Sequence, residues 1–198
     1  MIYPHKRRGE KKRVFIVHGW YGYPEEGWFP WLKKELEQKG FEVQVPTMPE
    51  PAAPKIENWV AHLSEIVGEA DENTFFVGHS VGAQTIIRYL ETLPAGKKIG
   101  GAVFVAGWFN LTNLETAAEK EVARPWLETP IDFEKVKQRG QKFFALFSDN
   151  DDFVPLGDKE LFEQRLGAVT AIESNRGHFS GEDGIRELPL VLEKLLNF

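Results

Sequence analysis

Apolar residues fall along this chain in two alternating rhythms. Short runs, nearly continuous in β-branched and aromatic residues, occur at RVFIV (13–17), FEVQV (41–45), TFFV (74–77), GAVFV (101–105), KFFALFS (142–148) and AVTAIE (168–173). Strands covered on both faces carry this pattern, so a largely parallel sheet is expected. Longer segments with helical spacing lie between them. The segment 28–39 is amphipathic and stops at Gly40, and 55–70 places Ile56, Trp59, Val60, Leu63, Ile66 and Val67 on one face. Further helices are predicted over 81–92, 158–166 and 183–196. Repeated strand–helix alternation predicts an α/β fold, a three-layer α/β/α sandwich around a mostly parallel sheet.

Two stretches break the rhythm. PTMPEPAAP (46–54) reads as an extended loop joining the second strand to its helix. Residues 107–133 hold Trp108, Phe109, Trp126 and Leu127, with a weak helical pattern only around 114–123. That segment is too short for a domain, so a flap or small partial lid over one end of the sheet is expected. The organisation is then a flexible basic tail (1–12) followed by one domain (13–198).

Charge and composition narrow the function classes. A formal net charge of −6 argues against a general nucleic-acid binder, although Lys6-Arg7-Arg8 and Lys11-Lys12-Arg13 run against the trend. The chain has no cysteine, which removes disulfides, thiol nucleophiles and Cys-based zinc sites. No run approaches ~18 apolar residues, and the start lacks the apolar core of a secretory signal. A cytoplasmic protein with no membrane partner is the expectation.

The chemistry concentrates at GHSVG (78–82), set between TFFV and AQTIIRYL. Gly78-x-Ser80-x-Gly82 in a strand–turn–helix setting is the pattern of a nucleophile elbow: a turn so tight that flanking side chains would clash, followed at once by a helix N-terminus. The plainer alternative is a tight turn in which Ser80 caps the helix. A serine hydroxyl attacks only when a base takes its proton, so a downstream acid and histidine are required, in the order Ser, acid, His. Of the five histidines, only His178 follows the last strand, in NRGHF. His5 lies in the tail, His62 in a helix, His79 beside the serine pointing away from it, and His18 after the first strand as a loop-shaping hydrogen bonder. SDNDDFVP (148–155) offers Asp149, Asp151 and Asp152 as the acid. The same stretch half-resembles a calcium loop, but Phe153 and Val154 stand where that loop needs a ligand and a glycine, so no metal is expected. Donors for an oxyanion are expected from the backbone N–H groups of Val81 and of Trp20 in HGWYG (18–22). Tyr21, Trp28 and Trp108 are candidate pocket walls.

VFIVHGWYG, GWFPWLKKELEQKG, MPEPAAPKIENWV, FVGHSVGAQTIIRYLE, GAVFVAG, SDNDDFVP and NRGHF together, in order over nearly the whole chain, resemble the small α/β-hydrolases of the YdeN and retinoblastoma-binding protein nine family. The resemblance implies a minimal α/β-hydrolase fold with little or no lid and a cofactor-independent Ser–Asp–His triad. Ser80 matches the nucleophile and His178 the base, and an acid preceding x-x-[V/L]-P selects Asp151. The mammalian relative is named for binding through an L-x-C-x-E segment, which this cysteine-free chain lacks, so that partner is not implied. Expected, therefore, is a serine hydrolase acting on an ester, thioester or amide of a small acyl substrate. Two alternatives are a binding or regulatory protein on a hydrolase scaffold and an acyl transferase using the same residues.

Overall fold

The computed structural model describes residues 11–198, so the first ten residues of the predicted basic tail lie outside the described part. The tail's last residue is tied to the domain. The Lys12 carbonyl accepts from Glu42 N–H at 2.9 Å, and its ammonium lies 5.6 and 5.1 Å from the ring centres of Phe41 and Phe75.

Among the described residues, six strands form one sheet: β1 (Arg13–Val17), β2 (Glu42–Gln44), β3 (Thr74–His79), β4 (Gly101–Val105), β5 (Phe143–Ser148) and β6 (Val169–Glu173). Their order is β2-β1-β3-β4-β5-β6 and every pairing is parallel. The central strands β3, β4 and β5 are buried along their whole length, which explains their nearly unbroken apolar sequences. The first connections run to β2 on one side of β1, and the chain then returns to β3 on the other side. Loops leaving β1 and β3 diverge at that switch point, which opens a crevice beyond the carboxyl ends of the strands.

Seven helices among the described residues complete the layers: α1 (Phe29–Gln38), α2 (Ile56–Val67), α3 (Val81–Thr92), α4 (Ala117–Glu128), α5 (Phe133–Lys137), α6 (Asp158–Leu166) and α7 (Pro189–Leu196). One cover is built from α2, α3, α5 and α6, which pack in succession, and the other from α1 and α7. α3 is the central prop, buried from Val81 through Leu90 and packed on β1, β3 and β4.

Segment 107–133 is more ordered than its sequence pattern. A capping box between Thr116 and Glu119 starts α4, which runs five residues past the expected end at 123. Trp126 is buried and donates from Nε1 to Pro54 O at 2.9 Å. Arg88, buried on α3, donates to Trp126 O and Thr129 O at 2.9 and 3.0 Å, placing its charge at the C-terminal end of α4 where the helix dipole is negative. α5 has no counterpart in the sequence pattern, because its five residues are too few to show a period. The last helix begins at Pro189, not at 183, because Gly184 takes φ 77°, outside the helical region, and the Asp183 carboxylate is engaged by the His178 loop.

Candidate active site

The elbow is built by close packing at the ends of β1 and β3. Ser80 has φ 53° and ψ −120°, a conformation that costs an L-residue about 1–3 kcal/mol and persists only when its surroundings enforce it. They do so by hydrogen bonds: Ser80 N–H donates to Val105 O at 3.0 Å, and Ala83 N–H donates to Ser80 O at 2.9 Å. Both flanking glycines are required sterically. A Cβ on Gly78 would stand 2.6 Å from Ala83 N, and one on Gly82 would overlap Val17 O and lie 2.7 Å from His18 O. Ser80 makes no side-chain cap to α3, so the capping alternative fails. Its Oγ instead accepts from Trp108 Nε1 at 3.3 Å.

Of the three carboxylates left open by the residue pattern, the fold brings Asp151 to His178. Asp151 Oδ2 lies 2.8 Å and Oδ1 3.1 Å from His178 Nδ1. Oδ1 also accepts from Phe153 N–H (2.9 Å) and Val154 N–H (3.1 Å), which aims the group. A carboxylate there assigns the ring proton to Nδ1 and leaves Nε2 with a free lone pair. Asp149 does different work, accepting from Asn175 N–H at 2.9 Å, a bond that holds its carboxyl below the usual aspartate range. Asp152 lies at the cavity rim. Asn150 adds a second tie, accepting from Gly177 N–H at 2.9 Å and from Ser148 Oγ at 2.8 Å.

The donors expected around Ser80 come from a constrained loop. His18, fully buried, donates from Nδ1 to Gly19 O at 2.8 Å and accepts at Nε2 from Met48 N–H at 3.1 Å. Burial lowers its pKa, so it stays neutral. Tyr21 takes φ 58° and donates N–H to Pro51 O at 2.8 Å, while Trp20 Nε1 donates to Ala52 O at 2.9 Å. Among the described residues, neither Trp20 N–H nor Val81 N–H has a protein acceptor, which leaves both free for a bound oxygen.

These groups open onto one cavity of about 850 Å³, lined by Ser80, Val81, His178, Trp20, Tyr21 and Trp108 among others. Tyr21 is 66% exposed and stacks on Trp20 with ring centres 5.8 Å apart. Leu111 and Leu114 form the wall contributed by the segment before α4. Trp28 does not line the cavity. It is buried in the core, where it packs edge-on to Phe29 and His79 and donates from Nε1 to Phe179 O at 3.0 Å. Its apolar spacing in the sequence marked burial correctly but not which apolar space it fills.

Two residues outside the expected triad also fix His178. Asp183 Oδ2 accepts from His178 N–H (3.0 Å), Ser180 N–H (2.9 Å) and Ser180 Oγ (2.7 Å), while Asp183 N–H donates back to Ser180 Oγ at 3.1 Å. This reciprocal Ser-x-x-Asp pattern was readable in the sequence as a local turn signal. The other is His79, whose Nε2 lies 2.7 Å from His178 O.

Comparison with known proteins adds the decisive observation. The family profile described as serine hydrolase matches residues 14–197. The chain belongs to the serine hydrolase family. YdeN of Bacillus subtilis (strain 168) is 31% identical over 188 residues, covering 94% of this chain and 96% of that protein. The rat (Rattus norvegicus) serine hydrolase RBBP9 is 29% identical over 181 residues, covering 91% and 88%. The crystal structure of the B. subtilis ydeN gene product superposes with a TM-score of 0.86, at 29% identity over 94% of this chain and 98% of that one. Est1E from Butyrivibrio proteoclasticus, at 15% identity and TM-score 0.70, shares the fold over 93% of this chain and 85% of that one.

For this serine hydrolase the electrostatics of the cavity are lopsided. Among the described residues Glu25, Glu26, Glu119, Asp152, Glu182 and Asp183 line it against a single arginine, Arg186, whose Nη1 is occupied by Gly181 O at 2.7 Å. In the cavity wall His79 is held neutral, its pKa pushed down to about 3 by burial first and by the nearby His178 second. Among the described residues no helix is long and apolar enough to cross a membrane.

Proposed function

We propose that this serine hydrolase cleaves an ester, thioester or amide of a small acyl substrate through an acyl-enzyme on Ser80. His178 Nε2 takes the Ser80 proton as Oγ bonds to the acyl carbon, and Asp151 stabilises the resulting imidazolium through Nδ1–H. The backbone N–H groups of Val81 and Trp20 receive the carbonyl oxygen as it becomes an oxyanion. The imidazolium then protonates the departing alcohol, thiol or amine. In the second half, water loses a proton to His178 and attacks the acyl carbon, and the tetrahedral adduct collapses to free acid as the imidazolium returns that proton to the departing Ser80 Oγ. No cofactor takes part in this scheme.

The observation that carries the reading is the state of Ser80: a strained, uncapped serine with its hydroxyl at the floor of the cavity that His178 also lines. In this resting arrangement the hydrogen bond to Ser80 Oγ comes from Trp108, and a nucleophile–base contact commonly tightens only with substrate bound. The test is turnover of a panel of neutral aryl and alkyl esters, thioesters and amides by wild-type protein and Ser80→Ala. Turnover that disappears in Ser80→Ala supports the reading. Product formed equally by both proteins would refute it and turn attention to binding roles of the scaffold.

A further inference from the structure

His79 is a costly residue to bury where it stands. It is 4% exposed among Trp28, Phe29 and His178, with ring centres 6.2, 6.1 and 5.0 Å away. One ring nitrogen, Nε2, reaches His178 O at 2.7 Å, and because a carbonyl can only accept, Nε2 carries the proton. The other, Nδ1, is buried with no partner among the described residues. It faces Gly19, where even a Cβ would stand only 3.0 Å away. A buried acceptor left unpaired costs about 1–3 kcal/mol, and an apolar ring of similar volume would avoid that cost. Stability alone therefore favours phenylalanine at this position.

What the histidine supplies is a link. It directly precedes Ser80 in the chain, its Nε2–H holds the backbone of His178, and its opposite edge supports Gly19 in the loop that presents Trp20 N–H. Three parts of the site that lie far apart in sequence meet on one ring. The other ties on this loop run to its own turn (Asp183 on His178 N–H), to the start of α1 (Trp28 on Phe179 O) and to the segment after β5 (Asn150 on Gly177 N–H, Asp151 on His178 Nδ1). None of these reaches the strand that carries the nucleophile.

We propose that His79 is a positioning residue which, by donating Nε2–H to the His178 carbonyl, sets the distance between the base loop and Ser80. This rests on the hydrolase reading above. The ring must be a neutral Nε2–H tautomer to perform the task. The charged or titratable groups around it are His178, Asp151 and His18, and burial keeps it uncharged in their presence.

Two measurements test it, one independent of activity. Nitrogen-15 histidine NMR of the wild-type protein at neutral pH should show residue 79 as the Nε2–H tautomer. An Nδ1–H tautomer or a protonated ring would overturn the proposal whether or not the protein hydrolyses anything. The second measurement compares His79→Phe, His79→Gln and His79→Asn for kcat, KM and thermal unfolding. The Gln amide reaches the position of Nε2 and restores a donor, whereas the Asn amide falls short of it. Expected is a kcat about 30-fold or more below wild type in His79→Phe, with KM within about twofold and a melting temperature equal to or above wild type. His79→Gln should recover about tenfold of that loss and His79→Asn should not. Wild-type kcat in a folded His79→Phe would overturn the proposal, as would equal activity of the Gln and Asn variants. If wild-type protein and Ser80→Ala are equally inactive, the hydrolase reading fails, and the tautomer result still decides whether the link exists.

Discussion

Replacing Asp151 by Asn changes one atom and leaves the shape of the site intact, which makes it a sharp probe of the proposed mechanism. When His178 accepts the serine proton, its positive charge lies 2.8 Å from Asp151 Oδ2. At an effective dielectric of about 20, that attraction is roughly 6 kcal/mol, or about four decades in rate. The Asp151 side chain is only 2% exposed and that of His178 16%, so solvent screening takes little of it. The hydrogen bonds add a second penalty. Oδ1 already serves Phe153 N–H and Val154 N–H, so the Asn oxygen will stay there and its NH₂ will turn toward His178. Nδ1 must then accept, the proton moves to Nε2, and the base loses the lone pair it needs. The Asn dipole retains some attraction, so the expected fall in kcat is about 10³- to 10⁴-fold at neutral pH, with KM nearly unchanged. Steady-state ester hydrolysis by Asp151→Asn, corrected with Ser80→Ala, measures it. A loss below tenfold in a folded variant would refute both the assignment of Asp151 and the tautomer argument.

Three further outcomes follow from the same geometry. Gly82→Ala sets a favourable helix propensity of about 1 kcal/mol against overlap with Val17 O and a 2.7 Å approach to His18 O. Overlap with backbone should win by about 2 kcal/mol or more and lower the melting temperature by about 5 °C, and a rise in melting temperature would mean that the elbow is not wedged as described. His79 and His18 both have folded pKa values below 6.5, so the unfolded chain binds the extra protons and stability falls as pH drops through 6.5. Each histidine contributes a slope of up to ~1.4 kcal/mol per pH unit, and His79→Gln should flatten the denaturation profile between about pH 6.5 and 5. The acidic cavity lining predicts that an ester bearing a carboxylate is cleaved about fivefold or more slowly than its neutral isostere, a gap that narrows from about 0.05 to about 0.5 M salt. A gap insensitive to salt would point to shape instead of charge.

Local pattern made most of the fold legible. β1, β4, α3 and α6 occupy the residues that the apolar spacing predicted, and the parallel sheet follows from strands buried on both faces. Ser80 was legible because strand, turn and helix signals coincide within a few residues. What escaped depends on contacts between distant segments. Trp28 reads as apolar at helical spacing, but only the fold decides that it sits under Phe179 and not in the cavity. His79 and His178 are 99 residues apart, and a hydrogen bond to a backbone carbonyl leaves no trace in either residue's neighbours. The apolar spacing of 183–196 reads as one helix, yet Gly184 takes φ 77° and the Asp183 carboxylate is engaged by the His178 loop, so α7 starts only at Pro189. Choosing Asp151 from three adjacent carboxylates needed the family resemblance, because spacing alone treats them alike.

The central claim is that Ser80 is a nucleophile activated by His178. The most direct measurement is labelling of the purified protein with a fluorophosphonate, with the adduct located by peptide mass spectrometry, in wild type, Ser80→Ala and His178→Ala. The account predicts a single adduct on Ser80 in wild type, none in Ser80→Ala, and labelling slowed by about 10³-fold or more in His178→Ala. An unlabelled Ser80 in folded wild-type protein, or labelling that proceeds equally well without His178, would contradict it.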